Sequence, residues 1–418
     1  MIRFLAWLAG TLLVLVLAAG GLLLAALDTQ AQVRRDATIS PVSVAQARWL
    51  LSANDPRRLR DGEVRQIAFP AALLDDGINY LATRFLHGRG SLTLIGKSAE
   101  IRLTLPTPHG WGERYLNLQA RIEAVAGQPH ITAARIGALP LPADLVETII
   151  EQAIARSGYR AQWTAGRQSI RDIRFDPERS RIQVAFTWAP SLLEQARSIA
   201  FDREDLGRLR SAQEMLAGLL DHQAPGSHLA LPAVLGPMLD IGGTDQRENR
   251  QAAIFILGAY LSEKSLASLI PAAADWPQAR PVILTLHGRQ DSAQHFAVSA
   301  SLAAWAGEPV ADAIGVYKEL TDARGGSGFS FADLAADRAG TRFGELIVNQ
   351  PQVIDSLVKT AFADRDIAPL LADLPENMND QAFRKRFGGQ GSPAYRRMQA
   401  EIETRLEALP LYQPRGKP

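Results

Sequence analysis

The chain has 418 residues, of which 47% are apolar, and its 45 basic and 44 acidic side chains leave a net charge of +1. This composition excludes a mainly disordered protein, and the balanced charge gives no basic field that would attract nucleic acid, so we expect no nucleic-acid partner. The sequence contains no cysteine, which excludes disulfides, thiolate zinc sites and cysteine nucleophiles.

An uncharged apolar run from Phe4 to Leu27 dominates the N-terminus. A helix needs about 20 such residues to cross a bilayer, whereas the apolar core of a signal peptide has only about 7 to 15, so the run predicts a retained transmembrane helix. We therefore predict a membrane anchor over residues 1–29 and a linker over 30–42. The expected localisation is the inner membrane, in a single pass through residues 4–27, with the bulk of the chain in the periplasm. Cleavage near Ala31 is the alternative.

Alternating apolar and polar residues are typical of the stretch from residue 43 to 190. Half-buried antiparallel strands require this two-residue period. Six runs show it: SLTLIG, AEIRLTLP, YLNLQARIEAV, HITAARIG, SIRDIRF and RIQVAFTW. Two amphipathic helical patterns, over residues 70–86 and 142–156, interrupt them. The stretch therefore predicts an α+β domain in which one antiparallel sheet packs against two helices.

A helical period replaces this alternation after residue 190. Residues 191–365 predict an all-α domain of about seven helices. Residues 366–418 predict a peripheral C-terminal tail with one helix. The expected fold class is therefore α+β, with an N-terminal transmembrane helix, an antiparallel sheet domain with two helices, and an all-α helical domain.

A cluster of acidic residues and one histidine is predicted in the helical domain. Glu319 and Asp322 are three residues apart, so they share a helical face. Asp333 and Asp337 are four residues apart and share a face of the next helix. His295 lies on the helix before both pairs. Because consecutive helices with short connections commonly pack together, we expect these side chains to converge.

Three interpretations of the cluster stay open. In a structural network, the histidine and Ser299 would hydrogen-bond with the carboxylates and hold the helices together. In a catalytic site, Glu319, Asp322 or Asp337 would divide acid and base roles in hydrolysis. In a metal site, a divalent cation would be held by carboxylate and imidazole ligands. The candidate ligands are His295, Glu319, Asp322, Asp333 and Asp337. No cofactor is established by the sequence, and whether the protein is an enzyme stays open.

The stretch GGSGFSFADL contains signals for a turn and for the start of a helix. Gly325, Gly326 and Gly328 are expected to end one helix and permit the turn to the next. Ser330 is expected to cap the following helix, with Asp333 in its first turn. This structural role accounts for most of the stretch without any chemistry.

Residues 295–340 also resemble a known family. Their HF, SA and GVYKELTDARGGSGFSFADLAADRAG segments are similar to the core of the YfiM-like periplasmic lipoproteins. The resemblance implies a place in the cell envelope and carries no activity. It matches, without roles, the positions His295, Lys318, Glu319, Asp322, Asp333 and Asp337. This chain differs from the family in its long N-terminal domain and in an anchor helix where the family has a lipidated cysteine.

The N-terminal half resembles the YpmS-like membrane-anchored proteins. The resemblance lies in IGALPLPADLVETII, which follows several strands behind a single anchor. It implies a curved sheet whose apolar concave face binds lipid. The alternative is a sheet that only closes its own core, because alternation does not show which apolar face stays open.

Taken together, these patterns predict an inner-membrane-anchored periplasmic protein that binds lipid or another envelope component. Its expected partners are the membrane, through residues 4–27, and a phospholipid or envelope component. The alternative function is an envelope glycan or lipid hydrolase that uses Glu319 and the cluster aspartates. A cleft beside the carboxylates would favour the enzyme, whereas a buried and fully paired cluster would favour the structural network.

Overall fold

The structure is a computed structural model that divides into two compact units, Met1–Ala200 (the first unit) and Phe201–Pro418 (the second unit). It has the mixed helix and antiparallel-sheet content that the sequence predicts. The residues it describes are 26–54, 59–107, 114–192, 201, 203–243, 245–262, 266–307, 309–312, 314–315, 318, 322 and 327–413.

The predicted transmembrane helix lies almost entirely outside the described residues, in the segment up to residue 25. Among the residues that the structure describes, no helix is long and apolar enough to span a bilayer. The membrane anchor therefore stays a prediction. Its predicted end at residue 29 is wrong, because Leu27–Asp28 forms a short strand, β1, that belongs to a sheet of the first unit.

An antiparallel sheet of six strands occupies the first unit. β1 pairs with β5 at one side of the main path of strands. That path runs in the order β3 (Arg89–Ile95), β4 (Ser98–Pro106), β5 (Tyr115–Val125), β6 (Gln128–Ile136) and β7 (Leu139–Leu141). The alternating patterns in β3 to β6 therefore predicted strands correctly.

A second, three-stranded antiparallel sheet contains the other two predicted strands and one strand, Val64–Pro70, that was not predicted. Its order is β2 (Val64–Pro70), β9 (Arg181–Thr187) and β8 (Ile170–Asp176). The expectation of one sheet is therefore wrong. Alternation indicates which face of a strand is buried, but it does not identify the strand with which it pairs.

Four helices belong to the described part of the first unit, rather than the two predicted. They are α1 (Pro41–Ala53), α2 (Ala71–Leu86), α3 (Ala143–Arg156) and α4 (Arg160–Ser169). The patterns over residues 70–86 and 142–156 correspond to α2 and α3. The helix α1 begins inside the predicted linker, where the Ser40 hydroxyl accepts a hydrogen bond from the Ser43 backbone N–H at 3.0 Å.

The predicted linker is itself held on the six-stranded sheet. The backbone N–H of Val33 donates to the Thr104 hydroxyl at 3.0 Å, and the Asn117 amide donates to the Gln30 carbonyl at 2.8 Å. These bonds join residues more than 70 positions apart in the chain. These bonds depend on single polar groups, so no repeating apolar pattern in the sequence indicates them.

The second unit is mainly helical. Its described helices are α5 (Arg203–Leu220), α6 (Leu231–Leu239), α7 (Gln246–Leu261), α8 (Leu266–Leu269), α9 (Gln290–Ala306), α10 (Phe331–Asn349), α11 (Pro351–Val358), α12 (Asp364–Ile367), α13 (Asp380–Phe387) and α14 (Pro393–Glu407). The unit is not purely helical, because β10 (His228–Ala230) pairs in parallel with β11 (Ile283–Thr285). These three-residue strands are too short to show an alternating pattern in the sequence.

Residues beyond 365 contribute to the core of the second unit, so the prediction of a peripheral tail is wrong. Phe383 on α13 and Tyr395 on α14 are almost fully buried. The ring of Phe383 stacks on that of Phe329, with centroids 4.0 Å apart. Most of the residues in the sequence FRKRF are charged. Its two phenylalanines nevertheless enter the core, which needs only a narrow apolar stripe.

The helices α9 and α10 approach each other closely at two glycines. A Cβ atom at Gly340 would lie 2.1 Å from the carbonyl oxygen of Phe296, and one at Gly344 would lie 2.3 Å from that of Ala300. Both distances are far shorter than van der Waals contact. Glycine is therefore required at these positions, and the close approach fixes the register in which polar side chains of the two helices meet.

We expect Gly340→Ala to destabilise the second unit by about 1–3 kcal/mol, because the added methyl group must push α9 away. The matched control is Gly207→Ala on α5, where an added Cβ meets no atom within 4 Å. That exposed helical change should stabilise by about 0.5–1 kcal/mol. Calorimetric unfolding of the full chain measures both, and equal small effects would contradict the close packing.

Candidate functional site: a histidine between two aspartates

The predicted convergence of charged side chains is present where α9 meets α10. His295 projects from α9, and Asp333 and Asp337 project from one face of α10. All three side chains are almost completely buried. The i, i+4 spacing of the aspartates and the glycine contacts between the helices together place one carboxylate on each side of the imidazole.

Hydrogen bonds tie Asp337 to α9. One of its oxygens, Oδ1, lies 3.0 Å from Nδ1 of His295 and accepts a hydrogen bond from the Ser299 hydroxyl at 2.7 Å. The other imidazole nitrogen, Nε2, lies 3.6 Å from Oδ2 of Asp333. Each ring nitrogen therefore faces a carboxylate.

Lys318 closes the solvent side of the imidazole. Its Nζ lies 3.1 Å from Nε2 of His295 and donates a hydrogen bond to Asp322 at 3.0 Å. Lys318 is half exposed, in contrast to the buried histidine. Asp322 is therefore linked to the cluster through Lys318. It does not lie next to the imidazole, where a second ligand of a shared ion would lie.

Two opposing effects act on the pKa of His295. Burial alone would lower it, but the carboxylates of Asp337 and Asp333 outweigh burial and raise the pKa to about 9. The ammonium of Lys318 opposes the carboxylates. A contact of 3.1 Å between two nitrogens is a hydrogen bond only if one has a lone pair. We favour the charged imidazole, because two close buried carboxylates act on it and Asp322 screens the exposed ammonium.

Arg289 is a member of the cluster that the sequence analysis missed. It precedes α9 and pairs with Asp291 at 2.8 Å and with Glu376 at 2.7 Å, while its Nη2 lies 3.9 Å from Oδ1 of Asp333. Burial raises the pKa of Asp333. Arg289 lies in a turn between β11 and α9, where no helical spacing relates it to the aspartates, so the sequence contained no signal for this contact.

The cluster is buried but not fully paired. Oδ1 of Asp333 and Oδ2 of Asp337 are buried without a hydrogen-bond partner among the described residues. Asp337 also lines a cleft of about 480 Å³. On its wall, Arg338 forms ion pairs with Asp312 and Glu403. The burial of the cluster therefore favours a structural network, whereas the cleft beside Asp337 favours an enzyme.

The structure describes only part of the predicted cap and turn. Gly328 has a positive φ of 97°, which favours glycine, and the Ser330 hydroxyl accepts a hydrogen bond from the Asp333 backbone N–H at 3.0 Å. This confirms Ser330 as the helix cap. Three other candidates, Glu319, Gly325 and Gly326, lie outside the described residues.

No metal-binding group is recognisable in the described part of the chain, as judged by three or more His, Asp or Glu side chains placed to share an ion. The ammonium of Lys318 lies directly in front of Nε2 of His295, where a cation would have to bind. The carboxylate facing Nδ1 is within hydrogen-bond distance of that nitrogen, so neither nitrogen offers an open ligand position.

A second candidate site is an apolar cleft of about 500 Å³ in the first unit (the apolar cleft). It lies between strands β5 and β6 and helices α3 and α4, and its lining includes Ile122, Ile131, Ile150, Trp163 and Gly166. The charged residues at its edge are paired with each other. Glu147 accepts a hydrogen bond from the Ile131 backbone N–H at 2.8 Å, and Arg167 pairs with Glu151 at 2.7 Å.

Large exposed apolar side chains are concentrated in the first unit. Among the described residues, all of those that stand out by exposure belong to this unit except Leu370. They include Trp49, Leu51, Leu81, Phe85, Leu145, Ile149 and Trp163. The buried apolar cluster of the unit is correspondingly small and consists of Ala99, Phe175 and Ile182. Such exposed apolar surface commonly marks a binding surface.

Comparison with known proteins places the chain in no family. No family model, curated protein or solved structure matches it.

The raised pKa of His295 makes stability depend on pH. The pKa is about 9 in the folded chain and about 6.5 in the unfolded chain. The stabilisation of the fold by the charged imidazole is therefore complete below pH 6.5 and is lost as the pH rises to about 9. We expect the free energy of unfolding of the second unit to fall over this window by up to about 3 kcal/mol.

His295→Gln should remove this fall, because glutamine does not titrate, and should destabilise the unit most at pH 6.5. The control His222→Gln replaces an exposed histidine of the same unit and should keep the wild-type profile. Thermal unfolding between pH 6 and 9.5 measures the three profiles. An unaltered profile in His295→Gln would show that the imidazole is not held in its charged form.

Proposed function

We propose that the protein is a membrane-anchored envelope protein whose first unit binds the acyl chain of a lipid in the apolar cleft. The observation that supports this function is the cleft itself. Its volume of about 500 Å³ falls within the range of roughly 300–1,000 Å³ typical of small-molecule sites. The exposed apolar residues around the unit fit the same role, since a lipid or bilayer would cover them.

The chemistry of the cleft matches an uncharged hydrocarbon chain. Each methylene group moved from water to an apolar environment contributes about 0.8 kcal/mol, so a chain of several methylenes supplies useful affinity without polar contacts. The acids and bases at the cleft edge are already paired, as His130 Nδ1 lies 3.4 Å from Glu147 and Arg167 lies 2.7 Å from Glu151. An acyl chain therefore leaves no new charge unpaired.

In this proposal the histidine cluster of the second unit is a structural network. It joins α9 and α10 through the Asp337 bonds to His295 and Ser299, and it adds Lys318 and Arg289 at its edges. A hydrolase is less well supported, because Asp337 and Lys318 face the two imidazole nitrogens and leave neither for a substrate. These hydrogen bonds between α9 and α10 favour one packing of the two helices over others.

The substitution Gly166→Leu should block the apolar cleft. Gly166 lines the cleft, and a Cβ there meets no atom within 4 Å, so a leucine side chain can extend into the space. We expect at least about a tenfold weaker binding of tetradecan-1-ol, equivalent to about 1.4 kcal/mol. The melting temperature should not fall, because leucine is a better helix former than glycine by about 1 kcal/mol.

The control is Gly207→Leu, which makes the same change at an exposed helical position of the second unit. Full-length protein from the membrane fraction, in mild detergent, is examined by native mass spectrometry for co-purified lipid and by titration with the alcohol. Equal binding by the wild type and Gly166→Leu would contradict the acyl-chain site. Recovery of the protein in the soluble fraction would contradict the predicted anchor.

A divalent cation is the second candidate ligand, in the histidine cluster. The observation in its favour is a pair of buried carboxylate oxygens, Oδ1 of Asp333 and Oδ2 of Asp337, that have no hydrogen-bond partner in the part of the chain that the structure describes. Against it stands the ammonium of Lys318, which lies 3.1 Å from Nε2 of His295 and repels a cation at that position.

We expect EDTA to leave the melting temperature of the full-length protein unchanged, because the ammonium of Lys318 supplies the positive charge that an ion would otherwise provide. Differential scanning calorimetry with and without EDTA makes this measurement. A lower melting temperature in EDTA, restored by adding zinc or manganese, would instead establish the cation as a ligand. The apolar cleft serves as the internal control, since alcohol binding there should not respond to EDTA.

A further inference from the structure

A polar groove adjoins the apolar cleft of the first unit. The groove has a volume of about 520 Å³ and is formed by α3 and α4 (the polar groove). It shares Glu151, Trp163 and Arg167 with the apolar cleft. Its other lining residues are mostly polar: Thr148, Gln152, Ile154, Arg160, Thr164 and Gln168. The two spaces therefore lie on either side of one set of side chains, with apolar walls in one and hydrogen-bonding groups in the other.

Trp163 stands at this boundary. Its side chain is 40% exposed and lines both spaces. Indole has an apolar ring system and one N–H donor, so tryptophan is favoured where an apolar region meets a polar one. Trp163 therefore lies where the hydrocarbon chain of a ligand would join its polar group.

The charge of the polar groove is positive. Arg160 and Arg167 line it together with one carboxylate, that of Glu151. Arg167 is paired with Glu151 at 2.7 Å, so these two charges compensate each other. Arg160 is exposed and forms no ion pair within the described part of the chain. One positive charge is therefore left to attract an anionic group of a ligand.

We infer that the apolar cleft and the polar groove form one site for an anionic amphiphile with a single acyl chain. The chain lies in the apolar cleft, and its carboxylate or phosphate head lies in the polar groove beside Arg160. This inference rests on the proposed acyl-chain binding and adds the class of headgroup. Guanidinium is suited to the head because its planar N–H donors bind carboxylate and phosphate oxygens in pairs.

Two probes with the same chain and different heads test the inference. Tetradecanoate carries an anionic head and tetradecan-1-ol a neutral one, and both are titrated into the full-length protein at physiological salt, at concentrations at which each probe stays dissolved. We expect the wild type to bind the anion roughly five- to tenfold more tightly than the alcohol. Physiological salt screens charges that are far from the ligand. A preference for the anion that is still present at this salt concentration therefore comes from a nearby group.

Arg160→Gln should remove the preference for the anion and leave alcohol binding unchanged. The control Arg156→Gln also removes one exposed arginine, four residues earlier, from a position that lines neither space. It should keep the preference. Phosphate as the natural head is distinguished from carboxylate by a third titration with tetradecyl phosphate, and tighter binding of either anion than of the alcohol supports the inference.

Three outcomes overturn it. Equal binding of anion and alcohol by the wild type removes the headgroup assignment and leaves the acyl-chain site in place. An equal loss in Arg156→Gln and Arg160→Gln shows general attraction by the surface and not a groove. Failure of the wild type to bind any of the probes overturns the proposed function together with the inference.

Discussion

The close approach of α9 and α10 is the constraint on which the second unit depends. It is possible only because Gly340 and Gly344 have no Cβ, since such an atom would lie 2.1 and 2.3 Å from carbonyl oxygens of α9. The same approach brings His295 within 3.0 Å of Asp337. Removing ions from water is costly, so these charges are tolerable only in a register that pairs them. The glycines and the ion pair therefore support one packing of the two helices.

The two units differ in how much of their apolar surface is buried. The second unit closes a large core, to which even the late helices α13 and α14 contribute through Phe383 and Tyr395. In the described part of the first unit, apolar side chains of α1, α2 and α3 stay exposed, and the buried apolar cluster around Phe175 is small. A unit that leaves this much apolar area in contact with water gains free energy when a ligand or membrane covers it. The difference in exposed apolar surface supports our proposal that the first unit binds a ligand.

The histidine cluster combines features of a structural network and of a reactive site. Its burial, its bond to Ser299 and the position of Lys318 beside the imidazole are those of a network that joins helices. Active sites share two of its features, the raised pKa of the histidine and the two carboxylate oxygens that accept no hydrogen bond from any described residue. The position of Lys318 decides between them in our proposal, because it shields the imidazole from solvent. A buried imidazole whose two nitrogens each face a carboxylate holds its proton well.

The sequence by itself determined the local structure and part of the cluster. Two-residue alternation identified β3 to β6, and the spacing of Asp333 and Asp337 predicted a shared face opposite His295, because both patterns repeat within a few residues. Only the tertiary structure decided that the strands form two sheets, that Arg289 reaches Asp333, and that Phe383 enters the core. A periodic pattern shows which face of an element is buried. Which distant segment covers that face, and what space is left between them, depends on contacts between residues far apart in the chain.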